Sequence, residues 1–337
     1  MYHCISRVVD RRMVFEPAER ERFRAIMRMQ EKFSGCRILS YCLMSNHIHI
    51  LLEVPPMPAE GISDAELLKR LSAIQTEAFV AVVAKELSDA HKAGNAALVA
   101  EIHARFTYRM HDLSEFMKTV LQRFTRWFNR THNRSGTLWE ERYKSVIVES
   151  GIAARTMAAY IDLNPVRAGI VSDPAEYRWS SYGEAVGGGP KGNGKKAREG
   201  LVRACMSHQG AGFEAEKWKE ISRVYRRAMG LALGRKSGNA TVEKGVVRPQ
   251  LNTAEALEAK ENGTVLPDLG MATMLRCRVR SFTDGAVIGS KAFVNEAFVG
   301  ARERFSAQRK DGARKLRGHA SPAANILWSA RDLRLRV

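Results

Sequence analysis

The chain has 337 residues, 45% of them hydrophobic, 27% charged and 8% aromatic, a composition that excludes a disordered or fibrous polypeptide. Fifty-four Lys and Arg against 36 Asp and Glu leave a net charge of +18, which points to a polyanionic partner, nucleic acid or an anionic membrane surface. No apolar run approaches the ~20 residues of a bilayer span, so the membrane reading is disfavoured.

The opening residues MYHCISRVVDRR carry charge where a signal peptide needs an apolar stretch. Five cysteines (Cys4, Cys36, Cys42, Cys205, Cys277), odd in number and without C-x-x-C spacing, argue against a disulfide framework or a cysteine zinc site. The expected setting is the cytoplasm, in association with the nucleoid.

The elements read in chain order as follows. Tyr2–Val9 is a short strand, and Pro17–Phe33 has helical spacing through Phe23, Ile26, Met27 and Gln30. Ile38–Val54 holds two apolar runs broken at Ser45-Asn46, a pair of strands or one bent strand. Helices are expected over Asp64–Leu87 and Asp112–Thr131, a strand over Lys144–Val148, and a helix over Gly151–Leu163 that Pro165 stops. Strands and helices in this irregular order favour an α+β fold over a doubly wound one. No Gly-rich phosphate loop is present.

Charge divides the chain. Residues 1–186 hold 25 basic and 22 acidic side chains, and residues 187–337 hold 29 and 14. The expected organisation is a domain over 1–186, a Gly/Lys-rich linker over 187–200, a basic helical segment over 201–236, a loose linker over 237–270, a small basic β-β-α unit over 271–318 and a basic tail over 319–337. Within the helical segment, Trp218–Leu233 carries Arg223, Arg226 and Arg227. In the β-β-α unit, Leu275–Phe282 alternates so that Arg276, Arg278 and Arg280 share one strand face. A second strand over Ala286–Ile288 and a helix capped by Ser290 follow. This basic extension either adds phosphate affinity or packs as a structural annex on the first domain.

Two constellations carry chemistry. In Asn46-His47-Ile48-His49 a strand puts both imidazoles on one face, where they could hold a divalent cation or stand as half-exposed strand histidines. In Tyr160-Ile161-Asp162-Leu163-Asn164-Pro165 the tyrosine and asparagine lie one turn apart on a helix face. Tyr160 could act as a nucleophile beside a hard amide-oxygen ligand, or be a buried aromatic with Asn164 as a helix cap. Tyr41 and Tyr143 compete for the nucleophile role. Tyr41 lies in an apolar run and Tyr143 among charges, and only Tyr160 has an oxygen ligand one turn away.

Basic residues gather between Lys118 and Lys144. Arg123, Arg126 and Arg130 recur at helical spacing opposite an apolar stripe of Phe116, Val120 and Phe124. With Lys118, Arg134, Arg142 and Lys144 they could follow a phosphate backbone, and Trp127, Trp139 and Tyr143 could stack on bases.

Four motifs in order, Tyr2-His3…Ser6-Arg7, Met44-Ser45-Asn46-His47-Ile48-His49, Gly136-Thr137-Leu138-Trp139-Glu140-Glu141-Arg142-Tyr143 and Tyr160 through Gly169, resemble the single-tyrosine HUH transposases. The branch they are most similar to is the REP-associated tyrosine transposases. The resemblance covers about residues 1–185. It implies a ferredoxin-like antiparallel sheet flanked by helices, with His47, His49 and Asn164 as ligands of Mg²⁺ or Mn²⁺ and Tyr160 as nucleophile. It implies single-stranded, hairpin-forming palindromic DNA as partner, cleaved and rejoined through a 5′-phosphotyrosine. The DNA-binding set is Arg7, Lys118, Arg123, Arg126, Arg130, Arg134, Trp139, Arg142, Tyr143 and Lys144, with Arg276, Arg278 and Arg280 of the extension. Monomer and homodimer are both compatible. The alternatives are a palindrome-binding protein that does not cut, and an HUH replication initiator or relaxase. The latter usually show a third histidine or paired tyrosines, which this sequence lacks.

Overall fold

The computed structural model describes residues 1–187, 194–206, 215–232, 280–283, 285–304, 312–316 and 327–330. The chain opens with β1 (Tyr2–Arg7), α1 (Pro17–Ser34), β2 (Arg37–Leu43) and β3 (His47–Glu53). Pro17 occupies the first turn of α1, where its missing N–H leaves nothing unsatisfied, and Gly35 ends the helix at φ 73°.

Three helices follow, α2 (Asp64–Leu71), α3 (Glu77–Lys92) and α4 (Ala96–Thr107), and then α5 (Leu113–Thr131). The single helix expected over Asp64–Leu87 is broken because Thr76 caps a new helix, its hydroxyl accepting from Phe79 N. The unforeseen α4 starts in the same way at Asn95. These helices share a small core of their own around Leu67, Val83, Leu87 and Ile102.

β4 (Lys144–Val148), α6 (Ile152–Asp162), the short α7 (Asn164–Arg167), α8 (Ser181–Gly187), α9 (Lys195–Met206) and α10 (Ala215–Ala232) complete this part. β2, β3, β1 and β4 lie in that order and pair antiparallel throughout. With α1 and α5 this makes a β-α-β-β-α-β arrangement, the ferredoxin-like type that the resemblance implies. One face buries Ile48, Ile50 and Leu52 against Phe23 and Met27 of α1 and Phe116, Val120 and Phe124 of α5. The other buries Leu39, Leu51 and Val146 against Met157 and Ile161 of α6 and Leu201 of α9.

The C-terminal residues continue the same sheet. After α11 (Arg280–Thr283), strand β5 (Val287–Gly289) pairs parallel with β4. α12 (Lys291–Gly300), β6 (Arg314–Lys315) and β7 (Trp328–Ala330) follow, giving, among the described residues, seven strands ordered β2-β3-β1-β4-β5-β7-β6.

Several expectations are corrected here. Arg280 does not lie on a strand: Arg280–Thr283 is helical, while Arg276 and Arg278 lie outside the described residues. The second strand and the Ser290-capped helix form, but β5 joins the main sheet, so the unit is not a separate β-β-α module. The linker expected over 187–200 is helical from Lys195, because α9 packs on β2 so closely that a Cβ on Gly200 would strike the Ile38 and Leu39 carbonyls. Trp328–Ala330, expected in the basic tail, is strand β7. The linker over 237–270 lies outside the described residues. No helix among the described residues is long and apolar enough to cross a membrane.

Candidate active site

Strand register assembles the first half of the site. β1 and β3 pair so that Ile5 faces His49 and Arg7 faces His47, which makes His3 the diagonal neighbour of His49 on the α6 side of the sheet. His3 Nε2 and His49 Nδ1 are 3.0 Å apart, and the ring planes lie within 19° of parallel with centroids 5.2 Å apart, the side-by-side geometry of an in-plane hydrogen bond. The other nitrogen of His3, Nδ1, donates to the Phe282 carbonyl at 3.0 Å. His47 Nδ1 donates to Asn46 Oδ1 at 2.7 Å, and the His47 and His49 rings meet edge to face at 5.0 Å.

Burial holds all three imidazoles neutral. It lowers His3 and His47 to about 4 and His49 well below the ordinary imidazole value, with the positive charge of Arg7 adding to the effect at His47 and His49. Neutral imidazole is the form that binds a cation.

The second half comes from α6 and α7. Tyr160 lies on the buried face of α6, 1% exposed, and its ring meets His49 and His3 edge to face, each at 6.1 Å. Phe282 of α11 stacks on it at 4.6 Å, and the Arg167 guanidinium lies 4.9 Å from its ring centre. Pro165 cannot donate to the Ile161 carbonyl, so the end of α6 leaves carbonyls to be met by other donors. Asn164 Nδ2 supplies them, donating to Tyr160 O at 3.1 Å and Ile161 O at 3.2 Å. Pro165 therefore does not end the helical path; after one residue, Leu163, the chain resumes as α7. Asn164 acts as a cap through its nitrogen, and its oxygen is the atom suited to a hard cation.

Among the described residues no group of three or more His, Cys, Asp or Glu could hold a metal ion, so a cation here would rest on two imidazoles and an amide. That set is chemically suitable. His47 Nδ1 and His49 Nδ1 are both engaged, which leaves each Nε2 for coordination.

Of the other tyrosines, Tyr41 is buried with its hydroxyl donating to Glu184 Oε2 at 2.6 Å, and burial pushes its pKa up. Tyr143 stands apart from the histidines, beside Arg142 and 3.4 Å from Ser114 Oγ.

The basic residues fall into two groups. Lys118, Arg126, Arg142, Tyr143 and Trp139 line a groove of about 850 Å³ between α5 and the loop before β4. Arg126 and Arg130 are exposed, whereas Arg123 is half-buried against Met29. Arg134 is spent on its own loop, donating to Thr137 O at 2.8 Å and Asn129 Oδ1 at 3.3 Å. Trp139 is stitched to α5 by Nε1 donating to Thr125 Oγ1 at 2.9 Å, and it packs on Phe15 and Phe23, so only part of its ring faces the groove. Lys144 pairs with Glu141 at 2.7 Å. Arg7 lies across the sheet from His47, outside the groove lining.

The sequence reading gave no role to His3, Arg167 or Phe282. Arg167 follows Tyr160 and Asn164 at seven and three residues, a helical spacing that was legible. His3 and Phe282 join through contacts spanning 46 and 279 residues, which no local pattern encodes.

Residues 1–80, the stretch from β1 past the His47–His49 strand, match the family model described as "Transposase IS200 like". Among solved structures, the chain is similar to that of a REP-associated tyrosine transposase bound to a REP hairpin. The likeness has 12% identity and a TM-score of 0.35, over 55% of this chain and 78% of that one. The resemblance read from the ordered motifs is borne out at the level of the transposase family over residues 1–80, which hold the first two of the four motifs. A comparison with curated proteins found no match.

Proposed function

We propose that the chain is a transposase-type enzyme that cuts and rejoins single-stranded DNA near hairpin-forming palindromes through a 5′-phosphotyrosine on Tyr160. The observation that carries this reading is the meeting of the Tyr160 ring with the imidazole of His49, from a strand more than a hundred residues away.

A free phenol ionises near pH ~10, so a tyrosine nucleophile needs help at neutral pH. Arg167 lies over the ring, where its charge would offset part of what burial costs the phenolate. His47 and His49 through Nε2, and Asn164 through Oδ1, would hold Mg²⁺ or Mn²⁺. That ion supplies charge withdrawal from the nonbridging phosphate oxygens. Tyr160 Oη attacks phosphorus in line, the P–O3′ bond breaks, and the phenolic proton passes by way of solvent to the departing oxygen, leaving a 3′-hydroxyl. Because one phosphate ester replaces another, the 3′-hydroxyl can reverse the step without ATP. Lys118, Arg126 and Arg142 hold phosphates in the groove. Phe282 covers one face of Tyr160, so α11 has to yield as DNA enters.

The setting is cytoplasmic, and the active unit is a monomer or homodimer. A second reading, a palindrome-binding protein that does not cut, draws on the near-complete burial of Tyr160. A labelled hairpin separates the two. The enzyme forms a covalent adduct that Tyr160→Phe abolishes with DNA binding intact, and EDTA stops it until Mn²⁺ is restored. Absence of any adduct from the wild-type chain leaves the binding reading.

A further inference from the structure

His3 is fully buried, and both of its ring nitrogens are engaged. The directions of its two hydrogen bonds follow from the chemistry of the partners. A carbonyl oxygen can only accept, so the bond to Phe282 O places the proton of His3 on Nδ1. A neutral imidazole has one proton, so His3 Nε2 carries a lone pair and accepts from His49 Nδ1–H. That leaves His49 Nε2 unprotonated. On the other side of the pair, the bond from His47 Nδ1–H to Asn46 Oδ1 leaves His47 Nε2 in the same state.

We propose that His3 is a positioning residue: anchored by the Phe282 carbonyl, it fixes the tautomer and ring orientation of His49 so that Nε2 is presented to the cation. The metal half of this inference rests on the function proposed above, and the tautomer half stands without it. The arrangement is a relay from the C-terminal extension, through the first strand, to the metal-facing edge of the third. It gives the extension a part in the site beyond phosphate affinity. The relay needs a side chain that offers one donor and one acceptor on the same rigid head, which an apolar ring cannot do.

Two measurements on the full-length chain test it. In the metal-free protein, ¹⁵N NMR of the histidine rings should show His49 as the Nδ1–H tautomer, moving toward Nε2–H in His3→Phe. Electron paramagnetic resonance titration with Mn²⁺ should show about 10- to 100-fold weaker binding for His3→Phe. His3→Gln, whose amide donates to Phe282 O and accepts from His49, should recover most of that loss. A structural role alone would make Gln the worse replacement, because it sacrifices ring packing. An Nε2–H tautomer of His49 in the wild type overturns the proposal even if His3→Phe does not fold. So does Mn²⁺ affinity that is equal in wild type and a folded His3→Phe, or lower in Gln than in Phe. If the wild type binds no Mn²⁺ at all, the metal reading fails, and the tautomer spectrum alone decides what His3 does.

Discussion

At the level of single residues, the buried imidazoles set how the protein answers to acid. His3 and His47 titrate near 4 in the folded chain and near the ordinary 6.5 when unfolded. Between those values the unfolded chain binds protons that the folded one refuses, so stability falls as pH drops through that window and levels below about 4. His49 acts in the same direction. Asp162 opposes them. Burial raises its carboxyl from 3.8 to about 7, so it removes stability as pH rises across that range. Three imidazoles outweigh one carboxyl. The melting temperature of the EDTA-treated protein should therefore fall by at least about 5 °C between pH 7 and pH 4.5. Asp162→Asn, with its opposing titration removed, should steepen the fall. A melting temperature that is flat or rises toward acid would contradict the neutral, buried state of these histidines. The His47–His49 pair was legible because strand alternation alone puts i and i+2 on one face. His3 was not, because its partnership depends on how β1 and β3 align, and nothing near residue 3 records that.

Helix α5 and the α6–α7 corner make the next scale. Lys118 and Arg126 are exposed on the same flank of α5 and face the groove. Replacing Arg126 with Ala should weaken hairpin binding evenly across sequences and reduce the slope of log affinity against log salt by about 1. Arg134→Ala should leave that slope unchanged while loosening its loop, since its guanidinium is committed to Thr137 and Asn129. Filter binding from 50 to 300 mM salt separates the two. At the corner, Asn164→Ala removes one donor each from the Tyr160 and Ile161 carbonyls and should cost about 1–2 kcal/mol in urea melts, separately from any effect on metal. The helical period of α5 and its apolar stripe were readable from residues 113–131. Which arginines stay free was not, because Met29 and the 129–137 loop capture Arg123 and Arg134 through tertiary contacts. The arginine-rich alternation ending at Phe282 shows the opposite failure. Its last residues are helical, and Phe282 is buried against Tyr160. A two-residue period in so short a run does not outweigh that packing.

For the molecule as a whole, the C-terminal residues are built into the first domain by two routes: β5 on β4, and Phe282 on Tyr160 and His3. Asp162 adds a third tie, accepting from the Tyr225 hydroxyl of α10 at 2.7 Å and from Tyr182 N at 2.9 Å. Phe282→Ala should thus destabilise the entire fold in one cooperative transition, by about 3–5 kcal/mol in denaturant melts. A separate low-stability transition, with the main one unmoved, would mean that the extension unfolds on its own.

The pairing of β4 with β5 also has a consequence in time. β4 ends at Val148 and its neighbour begins at Val287, so at roughly 5–20 residues per second the ribosome takes on the order of ten seconds to deliver the covering strand. Throughout that interval a nascent chain has an uncapped sheet margin ready to recruit any extended peptide. Its safe passage through synthesis depends on keeping that margin solitary until the last strands emerge.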